Sequence, residues 1–198
     1  MVKVILFDIG GTYLEGSFVD FMNQSYKVLG IDKTFSIDKE VTFDSDYNRG
    51  KISAEECFRK VFDTSISHDQ MKDIMDIWTS TWNPTTEMTD FVTKLTGKYT
   101  LGVLSNSDIV NTERYRREGI YSPFDMFVLS HEEGFLKPEK EIYDIALERA
   151  GCSAEECVFI DDQENVLVPA REMGMKTVHF TSFSQMKEDL AKLGVTVD

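Results

Sequence analysis

The chain has 198 residues, of which 41% are hydrophobic and 28% are charged, a composition typical of a soluble globular domain with a sizeable core. Its formal net charge of −14 argues against duplex nucleic acid and anionic membranes as partners, because both select for clustered Lys and Arg. The three cysteines have no zinc or redox spacing, and the sequence contains no apolar run of membrane-spanning length.

The first predicted element is a buried strand at residues 3–7, which ends at Asp8. Its unbroken apolar run is typical of a central parallel strand that is covered on both faces. The chain enters this strand almost at once and has no small-residue cleavage site, so we expect no signal peptide and a cytoplasmic protein. Gly10 and Gly11 break the chain directly afterwards, which is typical of a reactive carboxylate held at the edge of a sheet.

A helical segment follows the first strand. Residues 17–29 place their apolar side chains on one helical stripe. Capping boxes predict the starts of two further helices: Ser53 with Glu56, and Ser67 with Gln70. Because no convincing strand pattern occurs between residues 17 and 82, we predict a small helical cap over 17–82 and an α/β core made of residues 1–16 and 83–198.

Strands and helices alternate in the rest of the chain. The predicted helices cover residues 85–96, 109–118, 139–150, 166–173 and 184–193, and the predicted strands cover 99–105, 126–130, 157–162 and 177–180. This alternation predicts an α/β fold with a doubly wound parallel sheet. Ligands of such sheets bind beyond the carboxyl ends of the strands.

Polar side chains stand at the ends of three predicted strands and in one loop of the core. They are Asp8, Ser105 with Asn106, Asp161 with Asp162, and Lys137 in the loop EEGFLKPEKEIY. Two adjacent carboxylates at a buried strand end repel each other unless a cation joins them. The acids therefore indicate an oxygen-rich site suited to Mg²⁺, where Lys137 would neutralise a phosphate group next to Ser105. Phosphoryl transfer depends mainly on such positioning and electrostatics.

The ordered motifs FDIGGT, GVLSNS, LKPEKEIY and VFIDD resemble the four motifs of the haloacid dehalogenase-like (HAD-like) hydrolase superfamily, over nearly the whole chain from Val4 to about Val178. The segment 17–82 resembles the cap that many members carry after the first motif. The stretches RGKISAEECF and DDQENVLVPAREMGM are similar to the branch that holds the phosphatase domain of soluble epoxide hydrolase and bacterial sugar-1-phosphate phosphatases. The resemblance implies a Rossmann-like core and hydrolase activity.

The resemblance also implies a role for each strand-end residue. Asp8 would be the nucleophile that forms an aspartyl-phosphate, and Lys137 would keep it ionised. The residues expected to act on the phosphoryl group or substrate are Ser105, Asn106, Lys137, Gly11 and Arg49. The expected ligands of Mg²⁺ are the side chains of Asp8 and Asp162, the backbone carbonyl of Gly10, and Asp161 directly or through water.

Two positions depart from the family pattern. Most family phosphatases carry an aspartate two residues after the nucleophile, as acid for the leaving group and base for the attacking water, whereas this chain has Gly10. Because general acid–base help typically contributes about a hundredfold to ten-thousandfold, we expect slow hydrolysis of alkyl phosphates and a smaller effect for good leaving groups. The second departure is Val166, where relatives usually carry Asn or Asp; Asn165, one residue earlier, is a candidate substitute.

The motifs favour a Mg²⁺-dependent phosphatase of a small phosphorylated metabolite, such as a sugar phosphate, that acts as a monomer or weak dimer. Two alternatives stay open. A metal-independent 2-haloacid dehalogenase also uses an aspartate nucleophile and tolerates Gly10, although the paired acids suit a cation better. A degenerate member that binds a phosphoryl ligand or a protein partner without catalysis is consistent with Gly10 and Val166.

Further candidates lie outside the motifs. A polar, partly basic patch of the predicted cap either contacts a sugar or phosphate or forms a solvated loop: Tyr47, Asn48, Arg49 and Lys51. Trp78 and Trp82 lie four residues apart, which favours a core stripe over a stacking platform. For His131, after the third core strand, a surface position is favoured over contact with the site.

Overall fold

The computed structural model describes residues 1–36 and 45–197. Its strands are β1 (Val4–Phe7), β2 (Leu14–Glu15), β3 (Asn83–Pro84), β4 (Thr100–Ser105), β5 (Met126–Leu129), β6 (Cys157–Asp161) and β7 (Lys176–His179). Five of them form a sheet in the order β5-β4-β1-β6-β7, and every neighbouring pair in it is parallel. The predicted α/β fold with a doubly wound parallel sheet is therefore confirmed.

Helices cover both faces of this sheet and fill the segment between β2 and β3. They are α1 (Phe18–Leu29), α2 (Ser45–Asn48), α3 (Ala54–Phe62), α4 (His68–Ser80), α5 (Thr86–Leu95), α6 (Ile109–Arg117), α7 (Ser130–Glu133), α8 (Lys140–Ala150), α9 (Glu164–Glu172) and α10 (Phe183–Lys192), with a 3₁₀ turn at Ala154–Glu156. The predicted strands and helices of the core end within two residues of the observed bounds. None of the described helices combines the length and the apolar character needed to cross a membrane.

Strand β1 shows why the sheet is buried on both faces. All four of its residues are buried, and successive side chains of a strand point to opposite faces. Ile5 and Phe7 pack into one hydrophobic cluster with side chains of α5 and α10. Val4 and Leu6 pack into a second cluster with side chains of α8 and α9. The unbroken apolar run therefore supplies both layers of a three-layer α/β/α core.

Helices α1, α3 and α4 share a hydrophobic cluster of their own, to which α2 adds Tyr47. Phe21, Phe58 and Trp78 form its aromatic centre, with ring centroids 4.8–6.1 Å apart. Both predicted capping boxes are present at the starts of α3 and α4. Residues 37–44 of the predicted cap lie outside the described residues, and the division into cap and core at 17–82 stays a prediction.

A two-stranded antiparallel ribbon joins the two ends of this helical segment. Leu14 pairs with Pro84 and Glu15 pairs with Asn83 in β2 and β3. Two-residue strands are too short to show alternation, so the sequence pattern did not predict them. The ribbon follows the turn after β1, where Gly11 N donates to Leu14 O at 2.9 Å. It therefore ties the helical segment to the end of the central strand.

Candidate active site

Three adjacent strands bring their polar ends to one edge of the sheet. β1 lies between β4 and β6, and Phe7 pairs with Val103 on one side and Ile160 on the other. Asp8 follows Phe7, and its backbone N–H donates to Ile160 O at 2.9 Å. The register thus carries Asp8 alongside Asp161, as expected for parallel strands whose carboxyl ends share an edge.

A buried lysine joins two of the carboxylates. Lys137 Nζ lies 2.7 Å from Asp8 Oδ1 and 2.5 Å from Asp161 Oδ2. The three side chains are 4%, 7% and 0% exposed, in the order Lys137, Asp8 and Asp161. Burial lowers the pKa of Lys137, but the two carboxylates raise it by more. The pKa of Lys137 therefore lies above its usual value. Lys137 is therefore an ammonium at neutral pH, held against the predicted nucleophile.

Asn106 fixes the loop that carries this lysine. Lys137 N donates to Asn106 Oδ1 at 2.8 Å, and Asn106 Nδ2 donates to Lys137 O at 3.0 Å. The Lys137–Pro138 peptide bond in this loop is cis. The end of β4 thus positions the lysine through a pair of side chain–backbone hydrogen bonds. A contact between Asn106 and a phosphate group stays a prediction.

The three acids form a cluster that fits a metal ion. One carboxylate oxygen from each of Asp8, Asp161 and Asp162 lies within 4.8 Å of the others. Asp162 Oδ1 is buried and has no hydrogen-bond partner among the described residues. Burial is the main cause that raises the pKa of both Asp161 and Asp162, and the charge of Asp8 adds to it. Lys137 contacts two of these three carboxylates, so a divalent cation that prefers oxygen ligands, such as Mg²⁺, would satisfy the unpartnered Asp162 oxygen and balance the excess negative charge.

The two glycines after Asp8 differ in what they allow. Gly11 has φ of 84°, and a Cβ there would lie 2.6 Å from Asp162 Oδ2. Glycine is therefore needed at this position to leave room for the Asp162 carboxylate. Gly10 has no such conflict, because a Cβ there would meet only the Trp82 ring, at 3.9–4.0 Å. Since Gly11 N donates to Leu14 O, this N–H is not free for phosphate, and the predicted phosphate role of Gly11 stays a prediction.

A cavity of about 360 Å³ opens over these groups, a size that suits a small-molecule ligand. Asp8, Gly10, Ser105, Asn106, Lys137 and Asp162 all line it. Trp78 of α4 and Trp82 cover it from the helical segment. The cavity therefore brings together the predicted nucleophile Asp8, the Lys137 ammonium, the Ser105 hydroxyl group and Asp162 of the acid cluster.

The profile of the haloacid dehalogenase-like hydrolase family matches residues 2–174. The chain belongs to this family. It is 25% identical over 183 residues to the sesquiterpene phosphatase astK of Aspergillus oryzae, with 90% of each chain covered. It is 24% identical over 201 residues to the D-ribitol-5-phosphate phosphatase of Bacteroides thetaiotaomicron, with 96% of this chain and 97% of the relative covered.

A HAD family enzyme of Bacteroides thetaiotaomicron, solved in complex with magnesium and inorganic phosphate, superposes with a TM-score of 0.76. The two chains are 25% identical, and the match covers 94% of this chain and 99% of that enzyme. The HAD-like fold predicted from the motifs is therefore confirmed by the family profile and by the superposition.

Arg49, a predicted substrate contact, is bound to the core of this HAD-like hydrolase by an ion pair. Its guanidinium forms a two-point ion pair with Glu139 and donates to Gly134 O at 2.7 Å. Arg49 is not among the residues that line the cavity, whereas its neighbour Asn48 is. Arg49 thus holds the turn after α2 against the loop that carries Lys137, and its contact with substrate stays a prediction.

Asn165 and Val166 occupy opposite environments on α9. Val166 is buried and lines the cavity, and its carbonyl accepts a 2.6 Å hydrogen bond from Tyr143 Oη. Asn165 is exposed and is not among the lining residues. Asn165 is therefore directed away from the position of the family's Asn or Asp, which Val166 fills with an apolar side chain.

His131 is not the surface side chain that was favoured from the sequence. Its side chain is only 6% exposed, and Nδ1 lies 2.8 Å from Ser107 Oγ, on a residue that lines the cavity. Burial lowers the pKa of His131, against the opposing charge of Glu132. His131 therefore stands behind the cavity wall with a neutral imidazole at pH 7.

The sequence analysis did not predict a stripe of polar residues that lines the cavity from the N-cap of α6 along the helix. The stripe consists of Asp108, Asn111, Thr112 and Tyr115, all buried. Their spacing of three, one and three residues is that of one helical face. The sequence does show polar residues at helical spacing directly after the second motif, but it does not show that this helix face is buried.

Proposed function

We propose that this chain is a Mg²⁺-dependent phosphoric monoester hydrolase that acts on a small phosphorylated metabolite through an aspartyl-phosphate on Asp8. The observation that carries the proposal is the buried contact of Lys137 with Asp8 and Asp161, next to the unpartnered Asp162 oxygen. A carboxylate nucleophile that attacks an anionic phosphate needs positive charge beside it. The full-length relatives named as phosphatases, and the neighbour solved with magnesium and inorganic phosphate, support the same reaction.

In the first step, an Asp8 oxygen bonds to phosphorus while the bond from phosphorus to the ester oxygen breaks. Lys137 neutralises the phosphoryl oxygens, and the Ser105 hydroxyl, 3% exposed at the end of β4, donates to one of them. In the second step water attacks phosphorus, which releases inorganic phosphate and restores the Asp8 carboxylate. The residues that would hold Mg²⁺ are Asp8, Asp161, Asp162 and the Gly10 carbonyl. The ion, when bound, neutralises charge on the phosphate.

The leaving oxygen takes no proton from the residue two positions after the nucleophile, because that residue is Gly10. Trp82, which faces this position, is not an acid that could replace it. The leaving group therefore departs as an anion or takes its proton from water. This favours monoesters of acidic alcohols and phenols over those of simple alkyl alcohols.

The residues of this site support a metal-independent dehalogenase less well than a phosphatase. Such an enzyme needs one carboxylate nucleophile but has no use for Asp162, whose buried oxygen lacks a partner. A buried carboxylate that stays unpaired is costly, and a bound cation removes that cost. The acid cluster therefore favours the phosphatase reaction.

The test is a panel of phosphorylated metabolites and p-nitrophenyl phosphate, assayed with Mg²⁺ and with EDTA. We expect turnover with Mg²⁺ that EDTA and Asp8→Asn both abolish. Asp144→Asn, which removes an exposed carboxylate on α8, is the matched control and keeps wild-type rates. Release of chloride from 2-chloropropionate without metal would instead support the dehalogenase. If no compound of the panel is hydrolysed and the protein does not bind Mg²⁺, the result would support a non-catalytic binding protein.

A further inference from the structure

The cavity over Asp8 has two walls of different chemistry. The first, which we call the aromatic wall, consists of Phe18, Trp78 and Trp82. The second, which we call the acceptor wall, consists of Asp108 and Asn111 at the start of α6. A phosphate ester bound at Asp8 would extend its organic part into the cavity that these residues line.

Among the described residues that line the cavity, positive charge is confined to Lys137, beside Asp8. Among the described residues that line it, Lys137 is the only Lys or Arg, and its ammonium already contacts Asp8 and Asp161. Arg49, the closest basic residue in sequence to the lining residue Asn48, is bound to Glu139 instead. The described part of the lining therefore offers no further Lys or Arg for a second anionic group on the ligand.

The acceptor wall also disfavours a second anionic group on the ligand. Asn111 Nδ2 donates to Asp108 Oδ2 at 3.1 Å, and Asn111 N donates to Asp108 Oδ1 at 2.9 Å. A carboxylate only accepts hydrogen bonds, so the Asp108 contact sets the amide orientation and leaves Asn111 Oδ1 as an acceptor. That oxygen has no partner among the described residues. That oxygen is buried, and neither residue adds a cation to this side of the cavity, where the Asp108 carboxylate disfavours a second carboxylate or phosphate nearby.

The aromatic wall favours apolar surface close to the reacting phosphate. The Trp82 ring lies 3.9–4.0 Å from the position of a Cβ on Gly10, within the turn that follows the nucleophile. Phe18 and Trp82 are only partly buried by the protein, so a ligand would cover more of their ring surface. Burying aromatic surface against an apolar group is favourable, whereas burying an unpaired charge is costly.

We propose that the substrate's organic part is uncharged, with an apolar face against the aromatic wall, and that the cavity rejects esters that carry a second phosphate or a carboxylate. This inference rests on the proposed phosphatase function for the position of the phosphate group. It names the substrate class as monophosphates of neutral alcohols or phenols. Bisphosphates and phosphorylated carboxylic acids are excluded by the same charge distribution.

The test compares two non-hydrolysable ligands by calorimetry in the presence of Mg²⁺. Benzylphosphonate carries a neutral ring, and 4-carboxybenzylphosphonate adds one negative charge at its far end. We expect the neutral ligand to bind at least about tenfold more tightly, since the carboxylate meets no cation. Equal or tighter binding of the carboxylated ligand by the wild-type protein would overturn the proposal.

Two variants test the charge of the cavity and the aromatic wall separately. Asn48→Lys places a cation at a partly exposed lining position and is expected to raise affinity for the carboxylated ligand, while Thr64→Lys, at an exposed position outside the lining, leaves that affinity unchanged. Trp82→Ala is expected to lower the affinity for benzylphosphonate while leaving the affinity for inorganic phosphate unchanged. Val168→Ala, at an exposed position on α9, is the control for loss of apolar surface. Unchanged benzylphosphonate affinity in Trp82→Ala would contradict the role of the aromatic wall.

Hydrolysis of phenyl phosphate and 4-carboxyphenyl phosphate separates this inference from the proposed function. If neither ester is hydrolysed with Mg²⁺ while the phosphonates show the expected preference, the proposed reaction fails and the inference on ligand charge stands. If both are hydrolysed and the carboxylated ester has the higher kcat/KM, the reaction stands and the inference fails.

Discussion

At the scale of single residues, the site is governed by charge balance around Lys137. One ammonium faces the carboxylates of Asp8, Asp161 and Asp162, which leaves two negative charges in excess if all are ionised. Burial raises the pKa of Asp161 and Asp162, so their ionised forms need further positive charge. Mg²⁺ and Lys137 therefore stabilise the same cluster of carboxylates. If either cation is removed, the stability of the ionised cluster depends more on the other.

Lys137→Met tests this dependence. Loss of the ammonium leaves buried carboxylates unpaired, so we expect a loss of about 3–5 kcal/mol in the free energy of unfolding in EDTA. Addition of Mg²⁺ is expected to stabilise the variant more than the wild type in urea unfolding. Lys140→Met, which removes an exposed ammonium paired with Asp144, is the control. An equal effect of Mg²⁺ on Lys137→Met and wild type would count against the shared cluster.

Gly10→Asp tests the missing acid. The Gly10 position has room for a side chain beside the Trp82 ring, so the variant is expected to fold. A new general acid helps leaving groups that need a proton, typically by about a hundredfold to ten-thousandfold at most. We expect kcat for an alkyl phosphate to rise much more than kcat for p-nitrophenyl phosphate, and Gly10→Asn to give neither gain. Equal gains for both substrates would show that the acid does not limit departure of the leaving group.

His131 gives the molecule a pH-dependent stability. Burial lowers its pKa in the folded state, against the raising charges of Glu132 and Asp108 and with the lowering charge of Arg116. The unfolded chain therefore binds the proton more readily, and stability is lost as pH falls from the unfolded pKa of about 6.5 through the lower folded value. In urea unfolding between pH 7 and pH 5, we expect His131→Gln to lose less stability than wild type. A parallel decline would mean that His131 does not contribute.

At the scale of elements, the turn after α2 is bound to the core loop that carries Lys137. Ser130 Oγ, at the start of α7, donates to Asn48 O at 2.6 Å. Gly50 has φ of 70°, and a Cβ there would lie 2.5 Å from His131 O, so only glycine fits this approach. Arg49 completes the contact through Glu139. These contacts hold Asn48, which lines the cavity, against the core.

Arg49→Ala is expected to loosen the attachment of this turn to the core without touching the reacting groups. We expect KM for p-nitrophenyl phosphate to rise about twofold to fivefold, because a partly exposed ion pair typically contributes less than about 1 kcal/mol. The kcat value should change little. Lys51→Ala, which removes the exposed partner of Asp46, is the control in the same turn. A fall in kcat of a hundredfold or more would instead give Arg49 the direct substrate role predicted from the sequence.

At the scale of the whole molecule, the sequence predicted the sheet because its strands are dense apolar runs bounded by clear helices. It predicted the cluster of Asp8, Asp161 and Lys137 because parallel strands bring their carboxyl ends to one edge. It did not predict the β2–β3 ribbon, since two residues show no period.

The lining of the cavity was harder to predict than the catalytic motifs. Trp82 and the polar stripe on α6 reach the cavity only through the packing of separate elements. Arg49 was predicted as a substrate contact because its charge is visible in the sequence, while its partner Glu139 lies 90 residues away along the chain. The charged residues of a site can thus be predicted from motifs, but which of them form ion pairs with each other depends on the tertiary structure.

The most direct test of the account is to trap the aspartyl-phosphate during turnover of p-nitrophenyl phosphate with Mg²⁺. Borohydride reduces an acyl phosphate to an alcohol, so peptide mass spectrometry after reduction should find homoserine in place of Asp8. We expect this conversion only when substrate and Mg²⁺ are both present, and more of it in wild type than in Gly10→Asp, because no base speeds hydrolysis of the intermediate. An unmodified Asp8 during steady turnover, or reduction at another carboxylate, would contradict the assignment of Asp8 as the nucleophile.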